Sequence, residues 1–401
     1  MDGHLLGGAA SLFGWTLVHS LWQAGLVAGA LALVLRIIPG SAARLRTTAA
    51  SGALALVAGL AVVVWLGLAA DWRQHAECWE SHGYASAHPA VCASHGVAPP
   101  ADAHVDKASK PRAVLAWAWG SPTSGSLARR TAPVTLLATP VTPLLGVAGA
   151  LLAALALLRL LIDLGVLRGV VRRSRTIADE RMTTLLGRVA RRMDVRERIE
   201  LRESAEIGAP GVAGGRLPVI LLPPGMSRTL EPDQLECVLA HELTHIRRHH
   251  FAINLVQRTL ECLLVWNPFA SWISRRLREE REALCDIAAA GPPAGRRRYV
   301  ETLIRLERLR TPTGAALIGL LGEGPLLRRI RRLVEHSAPD RRTVARRAGG
   351  AGLAGLAALL FVTQVSVAAM AVSSWAVMEH DMSTREQTPI THVAGNGIVD
   401  G

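Results

Sequence analysis

The chain has 401 residues, of which 50% are hydrophobic, 19% charged and only 4% aromatic. That balance is foreign to an ordinary soluble globular protein and points to segments embedded in lipid. The 45 basic residues exceed the 32 acidic ones for a net charge of +13, but the arginines cluster beside apolar stretches. They therefore read as charges that fix orientation in a membrane, and a direct nucleic-acid partner is not expected.

Four runs are apolar and long enough to cross a bilayer, which takes about 20 helical residues. The first covers 12–35, with His19 and Gln23 as polar interruptions, and the second covers 48–70 without a charge. The third covers 135–158, inside a segment reaching 163, and carries Pro140 and Pro143; the fourth covers 350–372. No basic segment precedes the first run and a second span follows almost at once, so the first reads as a span and not as a cleavable leader. Arg36, Arg44 and Arg46 lie between the first two spans. Arg168, Arg172, Arg173 and Arg175 follow the third, and Arg341, Arg342, Arg346 and Arg347 precede the fourth. Alternating spans put all three clusters on one side, which the positive-inside rule makes the cytoplasm. The sequence thus predicts a multi-pass protein of the bacterial inner membrane. Its N-terminus, the 71–134 loop and the 373–401 tail lie outside, and a polar 174–345 domain lies in the cytoplasm.

The 71–134 loop reads as mostly irregular and linker-like, its His75, His82, His88 and His104 having no regular spacing. Of five cysteines, Cys78 and Cys92 share this loop and would be disulfide partners in an oxidising compartment. No pair has Cys-x-x-Cys spacing.

The chemistry stands in the 174–345 domain. Arg216 to Pro224 reads as a short strand bounded by prolines, and an exposed strand beside a metal offers backbone pairing to an extended peptide. Leu230-Glu231-Pro232-Asp233 is a helix start with an acidic cap and proline in the first turn. That helix carries His241-Glu242-Leu243-Thr244-His245. Residues four apart share a helix face, so both imidazoles reach one ion while Glu242 stands beside it to take a proton from water. A catalytic zinc needs a third protein ligand and one open position. After the break at Asn267-Pro268, a second helix offers Glu282 as that ligand. Asp286, one turn on, is placed to hydrogen-bond the far nitrogen of a ligand histidine and fix its tautomer. Glu279 and Glu280 read as ordinary charges on a solvated helix face. Phe251 to Trp266 reads as a core or interfacial helix beneath the site, and His249 and His250 either touch the site or cap a helix end, the second reading being favoured.

These residues resemble the integral-membrane metallopeptidases that include the β-lactam sensor-transducers of the BlaR/MecR type. The similarity runs from Ala209-Pro210 through the Leu217–Pro223 strand and His241–His245 to Glu282-x-x-Cys285-Asp286, and the span layout is similar over roughly residues 5–375. The resemblance implies a mainly α fold: a four-span membrane helix bundle with a cytoplasmic α+β gluzincin-like zinc peptidase domain. It implies His241, His245 and Glu282 as ligands of Zn2+, Glu242 as catalytic base, and cleavage of a cytoplasmic protein, often a winged-helix repressor, or of the enzyme's own chain. The sensor-transducers carry a penicillin-binding domain with a Ser-x-x-Lys nucleophile after the last span. Here about 28 residues follow it, and neither Lys107 nor Lys110 has serine three positions before it, so direct β-lactam sensing is not expected. His250 stands where such enzymes often have aspartate. Tyr299, His249 and His250 are candidates for stabilising the oxyanion. The rival class is a membrane signalling scaffold with a structural or vestigial zinc site, for which Glu242 would have no use. A homodimer is left open.

Overall fold

The computed structural model describes residues 2–87, 141–215, 217–310 and 325–334. The fourth apolar run, the tail and the Cys78–Cys92 pair fall outside the side chains it describes. Among the described residues, three helices are long and apolar enough to cross a membrane: α1 (Asp2–Ile37), α2 (Ala43–Ala87) and α3 (Thr142–Arg173), with candidate spans over Ala9–Ile37, Ala43–Ala70 and Thr142–Arg173. Two boundaries differ from expectation. Helix α2 continues to Ala87, so the loop expected from 71 begins as helix. Helix α3 starts at Thr142, with Pro143 in its first turn where a missing N–H costs nothing. At 1.5 Å per residue its 32 residues extend about 48 Å, more than the hydrocarbon core of a bilayer, so Arg168, Arg172 and Arg173 fall on its last turns.

The chain divides into two compact units. One comprises residues 1–20, 60–149 and 363–401, and the other residues 21–59 and 150–362. Within the first, α1 and α3 approach so closely that only glycine fits. A Cβ on Gly14 would lie 2.0 Å from the Thr142 carbonyl oxygen, and one on Gly146 would lie 2.0 Å from that of Ala10. Small residues at such crossings are how membrane helices gain packing without a hydrophobic drive.

The second unit holds the polar domain. A four-stranded sheet has the order β1-β2-β4-β3, from β1 (Arg175–Thr176), β2 (Glu200–Glu203), β3 (Gly211–Ala213) and β4 (Val219–Leu222). Strand β4 pairs parallel with β2 and antiparallel with β3. Its alternate residues face opposite layers. Ile220 and Leu222 join the main core, whereas Val219 and Leu221 pack with Val170 and Ala213. Both faces are therefore covered, which explains a continuous apolar run instead of alternation. The strand is central and buried, so of the two readings of this segment, an exposed strand or a plain structural one, the structural one holds; the edge beside it is β3.

The main core lies between the sheet and helices α4 (Glu180–Arg192), α6 (Pro232–Arg247) and α9 (Arg296–Arg310), through Leu186, Val189, Leu239, Leu243 and Leu303. A one-turn α5 (Met226–Thr229) leads into α6. Helix α6 begins as its sequence dictates, with Pro232 in the first turn and Glu231 and Gln234 in a reciprocal capping box. It ends before His249, whose φ of 50° turns the chain into α7 (His250–Leu263). Helix α8 (Pro268–Ala290) starts at Asn267, whose Oδ1 accepts from the backbone N–H groups of Phe269 and Ala270 at 3.1 and 3.0 Å. Helix α10 (Pro325–Val334) completes the described chain.

Candidate metal centre

The core-buried middle of α6 presents His241 and His245 one turn apart on the side that meets α8, where Glu282 stands. His241 Nε2 is 3.3 Å from His245 Nε2; Glu282 Oε2 lies 3.5 Å from the first and Glu282 Oε1 3.8 Å from the second. Zinc–ligand bonds of about 2.0–2.2 Å in a tetrahedral set hold donor atoms roughly 3.3–3.5 Å apart. Two imidazole nitrogens and the Glu282 carboxylate, gathered this closely, could hold a divalent cation of that size. The three predicted ligands thus come together, from two helices.

Behind the ligands, each imidazole is held from its other nitrogen. Asp286 Oδ1 lies 3.3 Å from His241 Nδ1, and the Tyr299 hydroxyl donates to that same oxygen at 2.8 Å while lying 2.9 Å from His241 Nδ1. With Nδ1–H directed there, His241 Nε2 is the nitrogen turned toward Glu282 and His245. Asp286 therefore sits where the sequence put it. Tyr299, buried at 2% exposure in the wall of the cleft, commits its hydroxyl to Asp286 and His241. For His250 the less favoured of its two readings, contact with the site, is the one seen. It is buried, with Nδ1 3.0 Å from His245 Nδ1 and 3.6 Å from Cys285 Sγ, so it backs His245 as Asp286 backs His241, and does not merely end a helix. His249 does sit at the α7 start. Asp286 in turn accepts two hydrogen bonds from Arg329 of α10, Nε to Oδ2 at 2.9 Å and a terminal nitrogen to Oδ1 at 2.6 Å. Glu280 is no solvated charge: at 1% exposure it binds Arg46 and Arg332. Glu279, paired with Arg276 on its own helix, keeps the ordinary reading.

Electrostatics sort these groups. Burial raises Glu242 to about 7, against the pull of His241. Burial would lift Glu282 too, but its hydrogen bond to His241 and the charges around it hold it down at about 2. Asp286 is likewise kept ionised against burial by Arg329 and His241. Burial lowers His250 to about 4, so it is a neutral neighbour.

The ligands line a cleft of about 1220 Å³. Gly211 and Val212 of edge strand β3 form one side, and Leu303, Leu306 and Leu327 give it an apolar floor. Arg281, 7% exposed, also lines it; one terminal nitrogen donates to Asn254 at 3.2 Å and the other has no partner among the described residues.

Apolar helices fit for a membrane, joined to a domain whose two helices offer a His/His/Glu set with a neighbouring buried glutamate, define the class of membrane metallopeptidases. The family described as BlaR1 peptidase M56 matches residues 118–333, more than half of the chain, and the protein belongs to that family. It is also similar to the Regulatory protein BlaR1 of Bacillus licheniformis, with 33% identity over 92 residues. That alignment takes in 23% of this chain and 15% of the relative, so only a small part of that protein's length is matched. Family membership implies a metal, and the donor set above is one that could hold it.

Proposed function

We propose that the protein is a zinc endopeptidase of the bacterial cytoplasmic membrane that cuts a cytoplasmic protein, a repressor or its own chain, in a signalling step. The observation carrying this reading is the spacing of the His241, His245 and Glu282 donor atoms at 3.3–3.8 Å. A bound zinc would supply Lewis acidity, lowering the pKa of a water toward about 7 and polarising the scissile carbonyl. Glu242, buried beside His241 and raised to about 7, takes the water's proton and passes it to the leaving amine. The cation's charge acts against that rise and favours the ionised, basic form. Gly211 and Val212 offer backbone at a sheet edge to an extended substrate, and Arg281 has an unused donor for a carbonyl. Arginine placement supports a cytoplasmic site, and the printed name of the relative, a regulatory protein, supports signalling.

Glu242→Gln keeps shape and ligands but removes the base. It should retain stoichiometric zinc and lose at least about a hundredfold in cleavage rate. Comparing the cytoplasmic proteome and the protein's own fragments between wild type and variant then reveals the substrate as the species that stays whole. A variant that cleaves at the wild-type rate removes Glu242 from the mechanism.

A further inference from the structure

Helix α10 is short and basic, with Arg328, Arg329, Arg331 and Arg332 in ten residues. A run of this kind ordinarily marks a solvated face. Here Leu333 is buried at 2% exposure and Leu326 packs against the main core, which turns Arg329 and Arg332, neighbours one turn apart, onto α8. Arg329 grips Asp286 with two hydrogen bonds. Arg332 donates to the Glu279 carbonyl at 3.2 Å and to Glu280 at 3.3 Å. Glu280 also accepts two hydrogen bonds of 2.9 Å from Arg46, whose remaining nitrogen donates to the Leu35 and Ile38 carbonyls at the end of α1.

The Asp286 side chain is only 2% exposed, and its carboxylate is held by guanidinium and hydroxyl donors while facing His241 Nδ1. A carboxylate that deep is kept charged and in place only by its counter-charge. Remove the guanidinium, and the group that orients a ligand imidazole loses its anchor. Outer partners of this sort set metal affinity through the ligand they hold. Resting on the metal-centre reading above, we propose that Arg329 is a positioning residue for His241, acting through Asp286, and that docking of α10 onto α8 completes the metal centre.

The test uses the full chain in detergent micelles, with zinc affinity measured by chelator competition and folding followed by far-UV circular dichroism. Arg329→Met should weaken zinc binding by about ten- to hundredfold, with Arg329→Lys intermediate. Asp286→Asn should weaken it to a similar degree. The double variant, which leaves no buried charge unpaired and so folds where Arg329→Met does not, should be no weaker than either single one, because both act on one link. Arg332→Met, away from the ligands, should shift affinity in the same direction. Wild-type affinity in Arg329→Met, or losses that multiply in the double variant, would overturn the positioning role; unchanged affinity in Arg332→Met overturns the docking claim. A wild type that binds no zinc overturns the metal-centre reading itself, an outcome distinct from wild-type binding with unaffected variants.

Discussion

At the scale of single residues, the two histidines of the candidate metal centre are pushed in opposite directions. Burial disfavours charge on both rings, but hydrogen bonds to Asp286 and Glu282 overcome it at His241 and raise that ring to about 10. Burial, with the charge on His241, lowers His245 to about 3. Without a cation, the pair therefore carries one proton at neutral pH, on His241. In the metal-free protein that shift stabilises the fold fully below about pH 6.5 and fades as pH rises through 10. A metal needs the bare nitrogen, so binding must expel the proton. Zinc binding at pH 7.5 should release about one proton, read by calorimetry in buffers of different ionisation enthalpy, and affinity should rise about tenfold per pH unit from 6.5 towards 10. Binding with no proton released contradicts this arrangement. The candidate ligands were legible in the sequence because positions four apart on a helix are a local fact, true of His241 with His245 and of Glu282 with Asp286. Tyr299, Arg329 and His250 were not, since their roles arise from α9, α10 and a turn at His249 that pack only in three dimensions. Arginines near apolar runs also looked fully explained as topology markers, which hid Arg46.

Among elements, helix starts were the best-written features. Pro232 with its capping box and Asn267-Pro268 act through neighbours in sequence, so α6 and α8 begin where the residues say. Strand order was not written locally. The Val219–Leu222 run looks like any apolar strand, and only the pairing with both β2 and β3 makes it central and leaves β3 at the edge. The close crossing of α1 and α3 was equally hidden, because Gly14 and Gly146 read as small residues in apolar helices. It makes a sharp comparison possible. Alanine at Gly165, where a Cβ meets nothing within 4 Å, gains helix propensity and should hold or raise the thermal midpoint in detergent. Alanine at Gly146 gains the same propensity but drives a methyl into the Ala10 carbonyl, and should lower the midpoint. Equal midpoints for the two variants would mean that α1 and α3 do not touch there.

For the molecule as a whole, lipid is demanded by surface as well as by length. Helix α3 exposes Leu144, Leu151, Leu155, Leu158 and Leu161 at half or more of their area, and α7 exposes Ile253 and Val256. Water would not tolerate such a helix, whereas a bilayer requires it, since the backbone is satisfied internally. Orientation we expect from the arginines. Arg36, Arg44 and Arg46 flank the short link between α1 and α2, and Arg168, Arg172 and Arg173 end α3; among the described residues two candidate spans, α2 and α3, separate the two groups. We propose that both groups face one side, which the positive-inside rule makes the cytoplasm. With Cys78 and Cys92 replaced by serine, the remaining Cys237, Cys262 and Cys285 are buried and give little background. A membrane-impermeant maleimide should then label Glu197→Cys, on an exposed stretch after α4, only once cells are opened, and Ser124→Cys, in the 71–134 segment that the arginine pattern puts outside, in intact cells. The reverse pattern would put the metal centre outside the cell, and with it any substrate.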